Sequence, residues 1–326
     1  MAPTAGLDAA TVERLVSAAT RAPSIHNTQP WSFRLAPDRD TLLVRAVPSR
    51  TLQETDPTGR ALHVSTGTAL YNLRVAAAHF GRGTAVRLLP DPHEPGLLAA
   101  VRVTDDRDGR GEKDLYDEVW RRHSSRFPFE NRPLPRGVVD DLVAAARVED
   151  VALYLPDADE VTRLLRLTAE GEWRNAHEPG RREESREWVR EAGSYGIGPG
   201  QLGPGDQGGN VPVRDFAGLA PALPTRVFER NPVIGVLATT HDRRTDWLRA
   251  GEALEHVLLV ATGHEVRASL LHQALEWPDL RAALHGPDRP PEHVQMLIRL
   301  GYGPPGQPSP RRPASEITGA EPRTPW

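Results

Sequence analysis

The chain has 326 residues, with 40 basic against 44 acidic side chains, no cysteine, 28 glycines and 31 prolines. The missing cysteines exclude disulfide, iron–sulfur and thiolate–metal chemistry, and a net charge of −4 lacks the basic footprint of a nucleic-acid binder, which points to a small-molecule partner. The length predicts two structural units at about 150 residues each, while no apolar run approaches the ~20 residues of a membrane span and the N-terminus lacks signal-peptide order, so the expected compartment is the cytoplasm.

Taken in chain order, Leu7 to Ala22 reads as a helix: Asp8 can cap it, and Val12, Leu15, Val16 and Ala19 recur at helical spacing. It stops at Pro23, inside the segment APSIHNTQPW (Ala22 to Trp31). Strands are predicted at Thr41 to Val47 and Leu97 to Thr104, and between them Gly67 to Phe80 is apolar nearly all round, as a central buried helix is. Helices follow at Lys113 to Trp120 and Leu134 to Arg147, with strand-like runs at Val151 to Leu155, Val233 to Thr239 and Val294 to Leu300. Ala158 to Arg190 is charged and helical. In Gly193 to Gly209, ten of seventeen residues are Gly or Pro, which excludes a helix or central strand and leaves a linker, a disordered loop or a lid.

Two segments recur. Leu134 to Arg147 matches Leu7 to Thr20 at an offset of 127, and Gly251 to Thr262 matches Gly67 to Ala78 at an offset of 184. Amphipathic helices share apolar spacing by convergence, but two matches in the same order, each followed by a strand-like run, favour duplication. The fold expected is α+β: two pseudo-repeated α/β halves with central antiparallel or mixed sheets flanked by helices. The expected divisions are residues 1–110, residues 111–313 with an insert at 156–230, and a disordered tail at 314–326.

The chemistry-bearing motifs are few. A formal GxGxxG at Gly198 to Gly203 has neither a strand before it nor a helix after it, so it is no dinucleotide fingerprint. Hydrolase and zinc-enzyme motifs are missing, and no metal site is expected. One polar turn packs Ser24, His26, Asn27, Thr28 and Gln29 between prolines, suited either to a planar heteroaromatic ligand or to closing a helix-stop loop. One basic turn, RRHSSRFPF (Arg121 to Phe129), offers phosphate donors or an ordinary solvated helix end.

APSIHNTQPW resembles the APSxxNxQPW turn of the FMN-dependent nitroreductases, and RHSSRFPF is similar to their RxSxRxF phosphate-binding motif. Their order is reversed relative to ordinary members, and about a hundred residues separate them. With DPTGRAL (Asp56 to Leu62), WLRAGEAL (Trp247 to Leu254) and RLGYG…PRRP (Arg299 to Pro313), the arrangement resembles the Acg-like single-chain branch of that superfamily. The resemblance implies a nitroreductase-like fold in which one chain mimics the family's homodimer, with one complete flavin site built from both halves and a monomer sufficient to hold it.

It further implies that Pro23, Ser24, Ile25 and Asn27 approach the flavin ring. Arg122, His123, Ser124 and Arg126 would hold the phosphate and ribityl hydroxyls, and Arg311 and Arg312 would close over the phosphate. Ser269 to Gln273 stands where the family places backbone groups near flavin N5, without the expected glycine, and is left unassigned. The implied activity is NADH- or NADPH-dependent reduction of nitroaromatic or quinone-type acceptors through FMN, with no catalytic side chain. The competing expectations are an FMN-sequestering protein with a closed lid and little turnover, or a flavin-free structural relative.

Overall fold

The computed structural model describes residues 6–105, 112–216, 224–286 and 292–319. The first half runs α1 (Ala9–Ala19), β1 (Trp31–Leu35), β2 (Thr41–Ala46), α2 (Arg60–His79), β3 (Gly83–Leu88) and β4 (Leu97–Thr104). After α3 (Tyr116–Arg121) come α4 (Arg136–Val148), β5 (Ala152–Tyr154), α5 (Ala158–His177), α6 (Pro179–Glu187) and the two-residue strands β6 (Gly205–Asp206) and β7 (Thr225–Arg226). The second half closes with β8 (Val233–Thr239), α7 (Arg244–Gly263), β9 (Arg267–Leu271), α8 (Pro278–Ala283), β10 (His293–Gly301) and α9 (Ala314–Ile317).

Local chemistry sets the helix starts. The Asp8 carboxylate accepts from Thr11 N at 2.7 Å and caps α1. Gly59, in the left-handed region at φ 72°, turns the chain into α2 while Asp56 accepts from the amides of Ala61 and Leu62 at 3.0 and 2.8 Å.

Two four-stranded sheets carry the fold, in the orders β1-β2-β4-β3 and β5-β8-β10-β9. All six pairings within them are antiparallel. Matching β1 to β5, β2 to β8, β3 to β9 and β4 to β10, the two orders are the same. The helices match too, since α7 occupies the span of α2 displaced by 184 residues and α4 begins where α1 does displaced by 127.

The halves meet along α2 and α7. A Cβ on Gly67 would stand 2.0 Å from Leu248 O, and one on Gly251 would stand 2.0 Å from Val64 O, so only glycine lets the two backbones approach this closely. Each helix also lends an apolar side chain to the other half: Val64 of α2 lies in the core around Leu142 and Leu297, and Leu248 of α7 lies in the core around Trp31 and Leu70. Residues 64 and 248 are themselves 184 apart.

The segment between β5 and β8 joins the halves again. Gly171 of α5 lets that helix lie against the backbone of Gln273, where a Cβ would come within 2.6 Å, and Glu184 of α6 accepts from the amides of Glu54 and Thr55 in the first half. The Gly/Pro-rich stretch contains a single 3-10 turn, Pro199–Gln201, and β6, which pairs with β7. The tail differs from expectation. Residues 314–317 form α9, with Ala314 and Ile317 buried against α1 and β1 and Thr318 bridging Phe33. Two apolar side chains suffice to dock it; residues 320–326 of the expected tail lie outside the described residues. Among the described residues, no helix is long and apolar enough to cross a membrane.

Candidate functional site

The polar turn that ends α1 is held in a conformation ordinary residues avoid. His26, Asn27 and Gln29 have φ of 47°, 53° and 49°, which costs of order 1 kcal/mol or more each and persists only where neighbours enforce it. Those neighbours are hydrogen bonds: Ile25 N to Ser65 Oγ (3.1 Å), Gln29 N to Ser24 Oγ (2.9 Å), Thr68 Oγ1 to Pro23 O (2.8 Å) and Arg50 Nη1 to Thr28 O (3.0 Å). Helix α2 therefore aims the turn, one face lending Ser65 and Thr68.

The turn and the basic segment after α3 face one cavity of about 130 Å³. Pro23, Ser24, Ile25 and Asn27 line it from the first half, Arg122, His123, Ser124 and Arg126 from the second, and Arg311 from the C-terminal segment. Arg312 is not in its wall. Its backbone N donates to Gln29 Oε1 at 2.8 Å and its Nε lies 3.8 Å from Glu316 Oε2, because the chain turns into α9 there.

Asn27 is at the cavity, but its amide is committed within the chain. Nδ2 donates to Gly196 O (2.8 Å) and Pro310 O (3.0 Å), and Oδ1 accepts from Arg311 Nη1 (2.9 Å). Gln29 likewise donates to Ser194 O at 2.8 Å. Asn27, expected to approach a ligand, and Gln29 of the same polar turn thus clamp the insert and the C-terminal segment onto the turn. The insert supplies a further wall, Ile197 and Val211 to Arg214 with Phe216, fixed by Arg126 Nη1 to Gln201 O (2.9 Å) and Gln201 Nε2 to Pro308 O (2.9 Å).

The cationic groups divide in two. At one end Arg122 is buried, donating to Arg21 O at 2.8 Å and lying 3.2 Å from the carboxylate of Glu255, itself fully buried on α7. Burial pushes the Glu255 carboxyl up to about 7 against the pull of Arg122. Burial, then Arg122 and Arg21, bring Arg311 down to about 9, and its Nε is buried without a hydrogen bond. His123 is held down to about 4 by burial and then by Arg122, Arg311, Arg21 and Arg267. This end carries more positive charge than Glu255 offsets, with an unused donor. A phosphate dianion meets both needs.

Arg126 stands elsewhere. Its charged neighbour is Arg214 of the insert, which with burial lowers it to about 10, and both guanidiniums flank the Phe216 ring, 5.4 and 5.5 Å from its centroid. The resemblance groups Arg126 with the phosphate residues; it lines the same cavity as Arg122 and Arg311, and its Nη1 donates to Gln201 O of the insert. Sequence reasoning left out Ser65, Thr68, Arg214 and Phe216, named His26 only as part of the polar turn, and left Ser269 to Gln273 unassigned although it lines the cavity. His272 there is locked, Nε2 at 2.9 Å from Arg60 Nη2 and Nδ1 at 3.2 Å from Glu276 Oε1.

No family model matches the chain. A Mycobacterium tuberculosis protein named "Putative NAD(P)H nitroreductase" is 33% identical over 321 residues, covering 95% of this chain and 91% of the relative. A second protein of that organism, named "Putative NAD(P)H nitroreductase acg", is 30% identical over 332 residues, covering 94% of each. Among solved structures, one titled a putative nitroreductase from Anabaena variabilis is 11% identical, covers 90% of this chain and 88% of its own, and has a TM-score of 0.49. With about a third of its residues shared over nearly the full length of both chains, the protein belongs to the NAD(P)H nitroreductase family, in the company of Acg.

Proposed function

We propose that this chain is a flavin oxidoreductase holding one FMN in the cavity between its halves, and that it passes electrons from NADH or NADPH to a small organic acceptor such as a nitroaromatic or quinone. The observation that carries the reading is the excess of positive charge at the end formed by buried Arg122 and half-buried Arg311, which Glu255 offsets only in part. These two residues, with His123 and Ser124, are the groups for the phosphate and ribityl chain. Pro23, Ser24 and Ile25 from one half and the backbone of Ser269 to Gln273 from the other form walls for the ring. FMN held by these residues would supply the redox chemistry, a two-electron transfer between nicotinamide and acceptor. The chain's part is to bind, orient and shield. Ser65 and Thr68 fix the turn, and the insert covers the cavity from water.

The halves act, on this reading, as a fused pair with one site retained. The place that the offsets relate to Pro23 and Thr68 holds Asp150 and Glu252. There Arg74 pairs with Glu112 (2.5 Å), Glu149 (2.8 Å) and Glu252 (3.0 Å), so the room a second cofactor would need is filled by ion pairs.

The clamp of Asn27 and Gln29 on the insert favours a second reading, FMN held under a closed cover with little turnover. Mixing the purified yellow protein with NADH or NADPH without oxygen separates them: bleaching supports the reductase, and persistent colour supports sequestration. Arg122→Ala with Arg311→Ala is expected to lose FMN with little change in circular dichroism. A colourless wild-type protein that takes up no flavin, or a double variant that keeps it, overturns the site.

A further inference from the structure

Apart from the Arg122 and Arg311 end, the cavity wall carries a second set of polar groups that the phosphate does not use. Arg214, on the insert, has one tenth of its side chain exposed, and its Nη1 is paired with Glu276, which is fully buried. Its Nε and Nη2 are buried and have no hydrogen-bond partner among the described residues. His26 is 6% exposed, lies edge-on to Phe216 at 5.4 Å, and leaves both ring nitrogens unpartnered. Buried donors of this kind normally find a partner, and leaving a charged one unmade costs more than a neutral one.

The pattern is directional. Nε and Nη2 form one edge of the guanidinium, two parallel N–H donors spaced for the two oxygens of a carboxylate. The other edge is already occupied. Arg126 and Arg214 lie together, Glu276 meets Arg214 only at Nη1 and is shared with Asn175 (2.6 Å) and His272 (3.2 Å), and burial raises the Glu172 carboxyl to about 7, so the carboxylates nearby offset the Arg214 fork only in part. His26 sits in the middle of the motif, at a position where the motif itself asks for no particular residue, and it presents a neutral imidazole beside the fork.

We propose that the molecule bound over the cofactor is a small carboxylate, held by the Nε and Nη2 edge of Arg214 with His26 as a second hydrogen-bonding group. The proposal rests on the FMN reading for its redox role but not for its binding chemistry. An acidic acceptor is then preferred to its neutral counterpart, and the insert, through Arg214, selects the substrate as well as covering it.

The test is calorimetric binding of benzoate and of benzamide to the full-length, FMN-loaded protein. Benzoate is expected to bind at least about tenfold more tightly, the worth of a charge-assisted pair, and Arg214→Gln is expected to abolish the preference while FMN occupancy stays unchanged. Arg214→Lys keeps the charge and removes the fork, and it is expected to lose most of the preference; it also serves if the Gln variant does not fold. Relative kcat/KM for 4-nitrobenzoate and 4-nitrobenzamide is expected to move in parallel. Equal binding of the two probes, full preference in either variant, or loss of FMN from Arg214→Gln overturns the proposal, the last because the fork would then serve the cofactor. If the chain takes up no FMN, the functional reading fails separately, and benzoate preference in the chain as purified still decides the carboxylate site.

Discussion

Arg122 and Arg311 were legible in the sequence because each lies in a short local motif. Their consequence for His123 was not, since it depends on burial and on charges from distant segments. With its pKa held down to about 4, His123 is neutral at pH 7. A bound phosphate dianion offsets the arginines and raises that pKa, so the complex takes up a proton that the free protein does not. Affinity for FMN is therefore expected to rise as the pH falls from 7 to 5, relative to His123→Asn, by up to about tenfold per unit of pKa change. Comparing the two proteins by fluorescence titration cancels the phosphate's own ionisation, and identical pH profiles would remove His123 from the phosphate shell.

Asn27 and Gln29 are the opposite case. The motif was plain, yet their partners are Gly196 O, Pro310 O and Ser194 O, which no local pattern indicates. Asn27→Ala deletes two donations and the acceptance from Arg311, each worth about 1 kcal/mol net. Release of FMN, followed by recovery of its fluorescence on dilution, is expected to accelerate by about tenfold or more. An unchanged rate would mean that the clamp does not retain the cofactor.

At the scale of elements, periodicity found the helices and strands with strong apolar patterns, among them β4 and β8 at their observed ends. It missed β1, β3 and β9. β1 begins directly after the Pro-flanked turn, and the latter two mix basic or small residues into their strands. The shared Gly67 and Gly251 were visible as a repeat, whereas their reason, the backbone contact of α2 and α7, required the packed structure. Gly67→Ala forces a Cβ toward a carbonyl 2.0 Å away. The separation of the helices should outweigh the helical preference of alanine and cost ~3 kcal/mol. Urea denaturation measures this directly, and a variant as stable as the wild type would contradict the close crossing.

Across the whole molecule, both halves contribute to one cavity, so on the proposed reading a single chain is sufficient for the site. One FMN per chain is expected, bound by a monomer, with absorbance giving the stoichiometry and light scattering the mass of the coloured species. Two flavins per chain would contradict the ion-paired filling around Arg74, and colour confined to dimers would contradict the fused pair.

The sequence by itself determined the α+β class, the two recurring segments, the family resemblance and the identity of the two turns, because each is written in residues close together in the chain. Tertiary structure decided which side chains converge. It tied Arg126 to Gln201 O, spent the amides of Asn27 and Gln29 on the cover, docked residues 314–317 as α9, and brought Arg214 and Phe216 of the insert to the cavity. The physical reason is that burial and charge pairing join segments 100 to 280 residues apart, and those energies appear only when the chain has folded.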